Sequence, residues 1–168
     1  MTLRPRHAAL LGAALLLPLG CAAPSRPEPA PSGRYIGGGV TVELRLDAAD
    51  ASPRLLRATF TPQEPGFHLY SVDLPEGGVS GLGIPTRLGL RGSLAAAGTP
   101  KADRPLRTVS PSGLGVALPV YPDGPVTLTV PVRSTGTGQA GAVISYGACS
   151  AQRCLVPVTE QSVPLDPS

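Results

Sequence analysis

A chain of 168 residues suits one folded domain with a tail, and Arg4 and Arg6 near its start supply two of its three formal positive charges. No Lys/Arg cluster or basic stripe follows, so the pI near 9.0 is no argument for a nucleic-acid partner. Gly (21) and Pro (21) fill a quarter of the chain and Trp is absent, a composition close to the disordered range, but 42% of residues are hydrophobic and fall in strand-like runs.

Residues 1–20 place two arginines before an apolar stretch of about ten residues, the pattern of a secretory signal peptide and too short to span a bilayer, which needs ~20. The stretch ends in Leu19-Gly20-Cys21, which resembles a bacterial lipobox with Pro18 where Leu is usual. The resemblance implies cleavage before Cys21, lipidation of its thiol, and, because Ala22 follows, anchorage at the outer membrane. Ordinary cleavage after Ala23 is the alternative. Four prolines within residues 22–33 make an extended tether, so residues 21–33 are read as lipidated Cys and Pro-rich spacer, and residues 34–168 as the folded domain.

From Tyr35 onward the hydrophobic period is two. Val40, Val42, Leu44 and Leu46 alternate with polar residues, the signature of a half-buried strand. Residues 57–61 alternate again with Ala58 and Phe60 inward, 67–74 follow a Pro-Gly turn as a third strand, and 87–91 make a fourth. Residues 115–121 carry Pro119, which predicts an edge or a bulge. Residues 125–133 alternate through Val126, Leu128, Val130 and Val132, residues 141–146 lead into two cysteines, and a last apolar run closes the chain. Turn residues at 75–78, 122–125 and 134–138 separate these runs. Only the leader and a short stretch near Leu94–Ala97 suggest a helical turn. About eight short strands predict an all-β, antiparallel β-sandwich. The Gly37-Gly38-Gly39 run precedes a strand, which makes it a loop or bulge and not a phosphate cradle.

Cys149 and Cys154 are separated by four residues. In an exported protein such a pair tends to oxidise. As a staple it closes a loop worth only ~2 kcal/mol, against ~4.7 kcal/mol for a loop of a hundred residues. A structural disulfide and a redox pair both remain open on spacing alone. A closed zinc site would need two more ligands, and outside the leader's His7 the chain offers only His68; a soft Cys149–Cys154–His68 set would suit copper(I). No nucleophile motif and no cofactor motif appears, and no cofactor is expected.

The stretch Ser145–Thr159, SYGACSAQRCLVPVT, resembles the signature of the N-terminal periplasmic domain of the thiol:disulfide interchange protein DsbD, through Tyr146, Cys149, Cys154 and Pro157. PGFHLYSVDLP at 65–75 and GLGIPT at 81–86 resemble two further pieces of that family, in its order and spacing. The resemblance covers roughly residues 34–168. It implies an immunoglobulin-like sandwich that exchanges disulfides with thioredoxin-like periplasmic proteins or a membrane thiol reductase. Cys154 would be the attacking thiolate, Cys149 the resolving one, and His68 and Tyr70, on one face of their strand by period two, would orient and shield the pair. Their alternatives are a surface or packed histidine without a role and plain tyrosine packing. The family's protein continues into a membrane domain and a thioredoxin-like domain; here the expectation is reduction in trans. Arg153 is the one charge near Cys154 in sequence, and the Gly-rich residues 75–85 are the expected shielding loop. Two other classes stay open: a non-catalytic envelope binding or structural lipoprotein with an inert disulfide, and a copper(I)-handling protein.

Overall fold

The computed structural model describes residues 32–166; the leader, Cys21 and most of the tether lie outside them. The chain forms β1 (Ser32–Gly37), β2 (Val40–Leu46), β3 (Leu55–Pro62), β4 (His68–Leu69), β5 (Arg87–Gly92), β6 (Leu94–Ala96) and β7 (Lys101–Ala102). These are followed by β8 (Arg107–Val109), β9 (Leu118–Val120), β10 (Val126–Ser134), β11 (Ala140–Tyr146), β12 (Ala148–Cys149) and β13 (Val158–Pro164). No helix occurs among the described residues. The fold is an antiparallel β-sandwich.

One sheet runs β1-β2-β3-β10, with β6 and β7 both on the far edge of β10; the other runs β13-β11-β5. The alternation read from the sequence sets the register. Val42, Phe60 and Val126 form one cross-strand row, Leu44, Ala58 and Leu128 the next, and Leu46, Leu56 and Val130 a third. Residues directly opposite across antiparallel strands share a face, so each row points into the core, and the small Ala58 makes room for the two leucines beside it. The second sheet answers with Leu88, Ala142, Ile144, Tyr146 and Val163. Phe60 and Tyr146 meet edge to face across the sheets, with ring centres 5.6 Å apart. Outward positions are polar: the Thr59 and Thr127 hydroxyls lie 3.0 Å apart, and Asp47 pairs with Arg57.

Two expectations are corrected. Only His68 and Leu69 of the 67–74 run are ladder strand; residues 68–71 are all buried, so the run is covered on both faces, and it turns away at Ser71. The stretch near Leu94–Ala97 is extended, as β6 paired to β10, not a helical turn. Strand β1 begins at Ser32, inside the stretch read as tether, and Gly38–Gly39 form the two-residue turn into β2, both with positive φ. Pro119 lies in β9, which pairs with β8 on one side and with the Leu69–Ser71 run on the other, where the Ser71 N–H donates to the Pro119 carbonyl at 2.9 Å and Val120 bridges Tyr70, so the expected free edge is not there.

A second, smaller hydrophobic cluster lies outside the sandwich core. It holds Tyr70, Leu74, Leu118, Val120 and Cys149, with Val79, Leu82, Val109 and Val116 packed on it. Long loops cover it, as satellite clusters commonly are.

Candidate redox site

Cys149 is placed by β12, whose two residues pair with β4 so that Cys149 stands opposite His68. The chain then turns through Ser150–Arg153. The Ser150 N–H donates to the Arg153 carbonyl at 2.8 Å, and the Leu155 N–H to the Ala148 carbonyl at 2.9 Å. The Ser150 hydroxyl accepts the N–H groups of Gln152 and Arg153, each at 3.2 Å, which fixes the turn. Cys149 and Cys154 therefore face each other at the position between two hydrogen-bonded pairs, where strands approach closest; their Cα atoms are 4.0 Å apart and their sulfurs are bonded.

The two sulfurs have different surroundings. Cys149 is 5% exposed and belongs to the satellite cluster, whereas Cys154 is exposed. The Tyr70 hydroxyl lies 3.1 Å from Cys149 Sγ. Burial raises the Tyr70 pKa above its ordinary value, which keeps that hydroxyl protonated. The His68 ring stands edge-on to Tyr70 at 6.2 Å. Its Nδ1 is 3.4 Å from Arg107 Nη2 and 3.5 Å from Asp123 Oδ1. Burial, aided by Arg107, lowers the His68 pKa, with Asp123 opposing, so the ring is held toward its neutral form.

An open cleft of about 640 Å³ adjoins the disulfide. Its lining includes His68, Tyr70, Cys149 and Cys154, so these four expected site residues come together. Tyr146 does not join them. It is fully buried in the sandwich core, and its hydroxyl donates to the Gly37 carbonyl at 2.8 Å, tying β11 to the first hairpin. Its place is structural, one strand upstream of the cysteine turn.

No family model matches this chain, and no curated protein matches it.

The cleft wall facing the disulfide is the segment that carries Arg107, Val109 and Ser110–Ser112; no residue of 75–85, the expected shield, lines it. That Gly-rich stretch instead packs the half-buried Val79 and Leu82 against the satellite cluster that holds Tyr70. It is held by the Thr86 hydroxyl on the Tyr70 carbonyl at 2.6 Å and the Gly147 N–H on the Ile84 carbonyl at 3.2 Å. Gly83, at φ +84°, lets the Tyr70 ring approach so closely that an added Cβ would sit 3.0 Å from it. Arg153 is engaged elsewhere: Nη2 reaches both Glu64 oxygens at 2.8 and 2.6 Å, and the guanidinium lies 5.1 Å from the Phe67 ring centre. Its charge is compensated away from the sulfurs. Arg107 and Asp123 were not legible as site residues. They stand 42 and 26 residues before Cys149, in segments without a motif, and only pairing of β8 with β9 brings them to the cleft. Among the described residues no three His, Cys, Asp or Glu side chains are grouped to hold a metal ion, and His68 is turned to Arg107 and Asp123.

Proposed function

We propose that this chain is an exported, lipid-anchored thiol–disulfide exchange protein of the bacterial periplasm, related to the N-terminal domain of DsbD, with thioredoxin-like proteins as partners. The observation that carries the reading is the asymmetry of the pair: one cysteine exposed at a cleft, the other buried with its sulfur beside the Tyr70 hydroxyl. Exchange proceeds by attack of a thiolate on a disulfide sulfur through a mixed disulfide. In the reducing direction, the Cys154 thiolate attacks a partner disulfide, the S–S bond breaks, and the partner's second sulfur leaves as thiolate. Cys149 then loses its proton to solvent and attacks Cys154 Sγ, which restores the internal disulfide and releases the partner as a dithiol. Two electrons pass from this chain to the partner. In the reverse direction the partner's thiolate attacks Cys154, and Cys149 is the leaving group beside Tyr70.

A Cys149→Ala variant leaves Cys154 without its resolving partner and is expected to trap mixed disulfides with thioredoxin-like proteins in periplasmic extract. Absence of any adduct at Cys154 argues for the second reading, an inert disulfide in a structural or binding lipoprotein. One observation favours that alternative: the nearest cation in sequence, Arg153, is neutralised by Glu64. The potential of the pair separates the two, since structural disulfides lie below about −300 mV and exchange-active ones above. Cleavage before Cys21 and acylation are checked by mass spectrometry of the mature N-terminus.

A further inference from the structure

Arg107 and Arg153 both line the cleft beside Cys154, but they are held differently. Arg153 is committed to Glu64 and to the Phe67 ring. Arg107 makes both its contacts, to Asp123 Oδ1 and to His68 Nδ1, through Nη2 alone. Its Nε and Nη1 have no hydrogen-bond partner among the described residues. The Arg107 and Asp123 side chains are 45% and 47% exposed. A half-exposed ion pair of that kind is weak, so another carboxylate can replace Asp123 at little cost. A guanidinium presents five donors in a fixed fork that matches a carboxylate in two-point contact. This fork borders an open cleft whose volume is in the range of small-ligand sites.

We infer that Arg107 is a specificity-determining residue, which selects for Cys154 those disulfides that carry a carboxylate next to the reacting sulfur. The carboxylate belongs either to a small thiol compound or to an acidic residue flanking a protein disulfide. The inference rests on the exchange reading above and names the chemistry of its substrate. In the step itself, the Cys154 thiolate attacks the nearer sulfur, a new S–S bond forms as the old one breaks, and the departing thiolate takes a proton from water. The half that stays on Cys154 keeps its carboxylate on Arg107, in place of Asp123.

The test uses the full chain as Cys149→Ala, with Cys149→Ser as a second trapping variant. Adducts are mapped to Cys154 by mass spectrometry at fixed pH and low salt. Three small disulfides of similar length differ in charge: dithiodipropionate (anionic), hydroxyethyl disulfide (neutral) and cystamine (cationic). The anionic reagent is expected to react about three- to fivefold faster than the neutral one, the scale of one half-exposed ion pair, and the cationic one more slowly. Adding Arg107→Gln is expected to abolish the ranking, and Arg107→Lys to retain part of it. Arg133→Gln, exposed on β10 away from the cleft, controls for net charge and is expected to leave the ranking intact. A ranking that survives Arg107→Gln overturns the inference while leaving exchange standing. No reaction at Cys154 with any reagent overturns both. A peptide disulfide flanked by Glu, compared with its Gln counterpart, assigns the source: a gain for Glu extends the selection to protein partners, and a gain confined to dithiodipropionate assigns it to small thiols.

Discussion

A hydroxyl 3.1 Å from a sulfur serves that sulfur best when the sulfur carries charge. Tyr70 is kept protonated by burial, so it acts as donor to Cys149 when Cys149 leaves as thiolate. A hydrogen bond to a charged group is worth about 1.5–3 kcal/mol. Tyr70→Phe, which keeps the packed ring, is therefore expected to slow reduction of the disulfide by dithiothreitol about tenfold, with little change in melting temperature. An unchanged rate would reduce Tyr70 to packing. His68 gives a different signature. Its pKa is lowered in the fold relative to 6.5, so the unfolded chain binds the proton more readily. Stability from the neutral ring is complete above about pH 6.5 and is lost as pH falls through the lower folded value. Melting curves at stepwise pH between 7.5 and 5 are expected to show this loss, and His68→Gln to flatten it; a profile unchanged by the substitution contradicts the assigned cause.

Strands with one face in the core were legible from their alternation: β2, β3 and β10 stand where the period of two put them, and β5 and β11 where strands were read at 87–91 and 141–146. Elements only two or three residues long were not: β6, β7, β8 and β12 are too short to show a period. The 67–74 run was legible as a strand, but because residues 68–71 are covered on both faces its pattern did not show that the ladder ends at Leu69. The site divides along the same line. Cys149 and Cys154 were marked by their spacing, and His68 and Tyr70 by the Pro-Gly turn before them and the resemblance of 65–75, whereas Arg107 and Asp123 arrive through pairing of strands distant from the cysteines in sequence. Turn chemistry was legible and has energetic weight. Gly38 and Gly39 both adopt positive φ in the first hairpin, but their surroundings differ. A Cβ on Gly38 would meet the Val156 carbonyl oxygen at 2.4 Å, and one on Gly39 the end of the Leu155 side chain at 2.4 Å. The left-handed conformation costs an alanine roughly 1–2 kcal/mol at either position. Backbone cannot yield as a side chain can, so Gly38→Ala is expected to destabilise by over ~2 kcal/mol and clearly more than Gly39→Ala. Urea midpoints of the two variants give the comparison, and equal losses would remove the packing argument.

The molecule carries two cores with different claims on the disulfide. The sandwich core joins both sheets and contains neither sulfur; the satellite core contains Cys149 and is walled by the loops after Tyr70 and around β8 and β9. A bridge closing so short a loop stabilises the whole chain by only ~2 kcal/mol. Reduction is therefore expected to lower the melting temperature by roughly 5–10 °C without unfolding the protein. The loss should also be local, because stability is distributed unevenly over cooperative units. Hydrogen exchange on the reduced chain is expected to show faster amides in residues 66–86 and 107–120, with β2, β3, β10 and β11 protected as before. That pattern suits an exchange protein, which must survive each reduced interval with its scaffold intact while the walls around the sulfurs loosen enough to admit a partner. Collapse of protection in β3 and β11 on reduction would instead make the bridge a staple for the entire sandwich, and a pair on which the whole fold depends cannot open and close in each cycle.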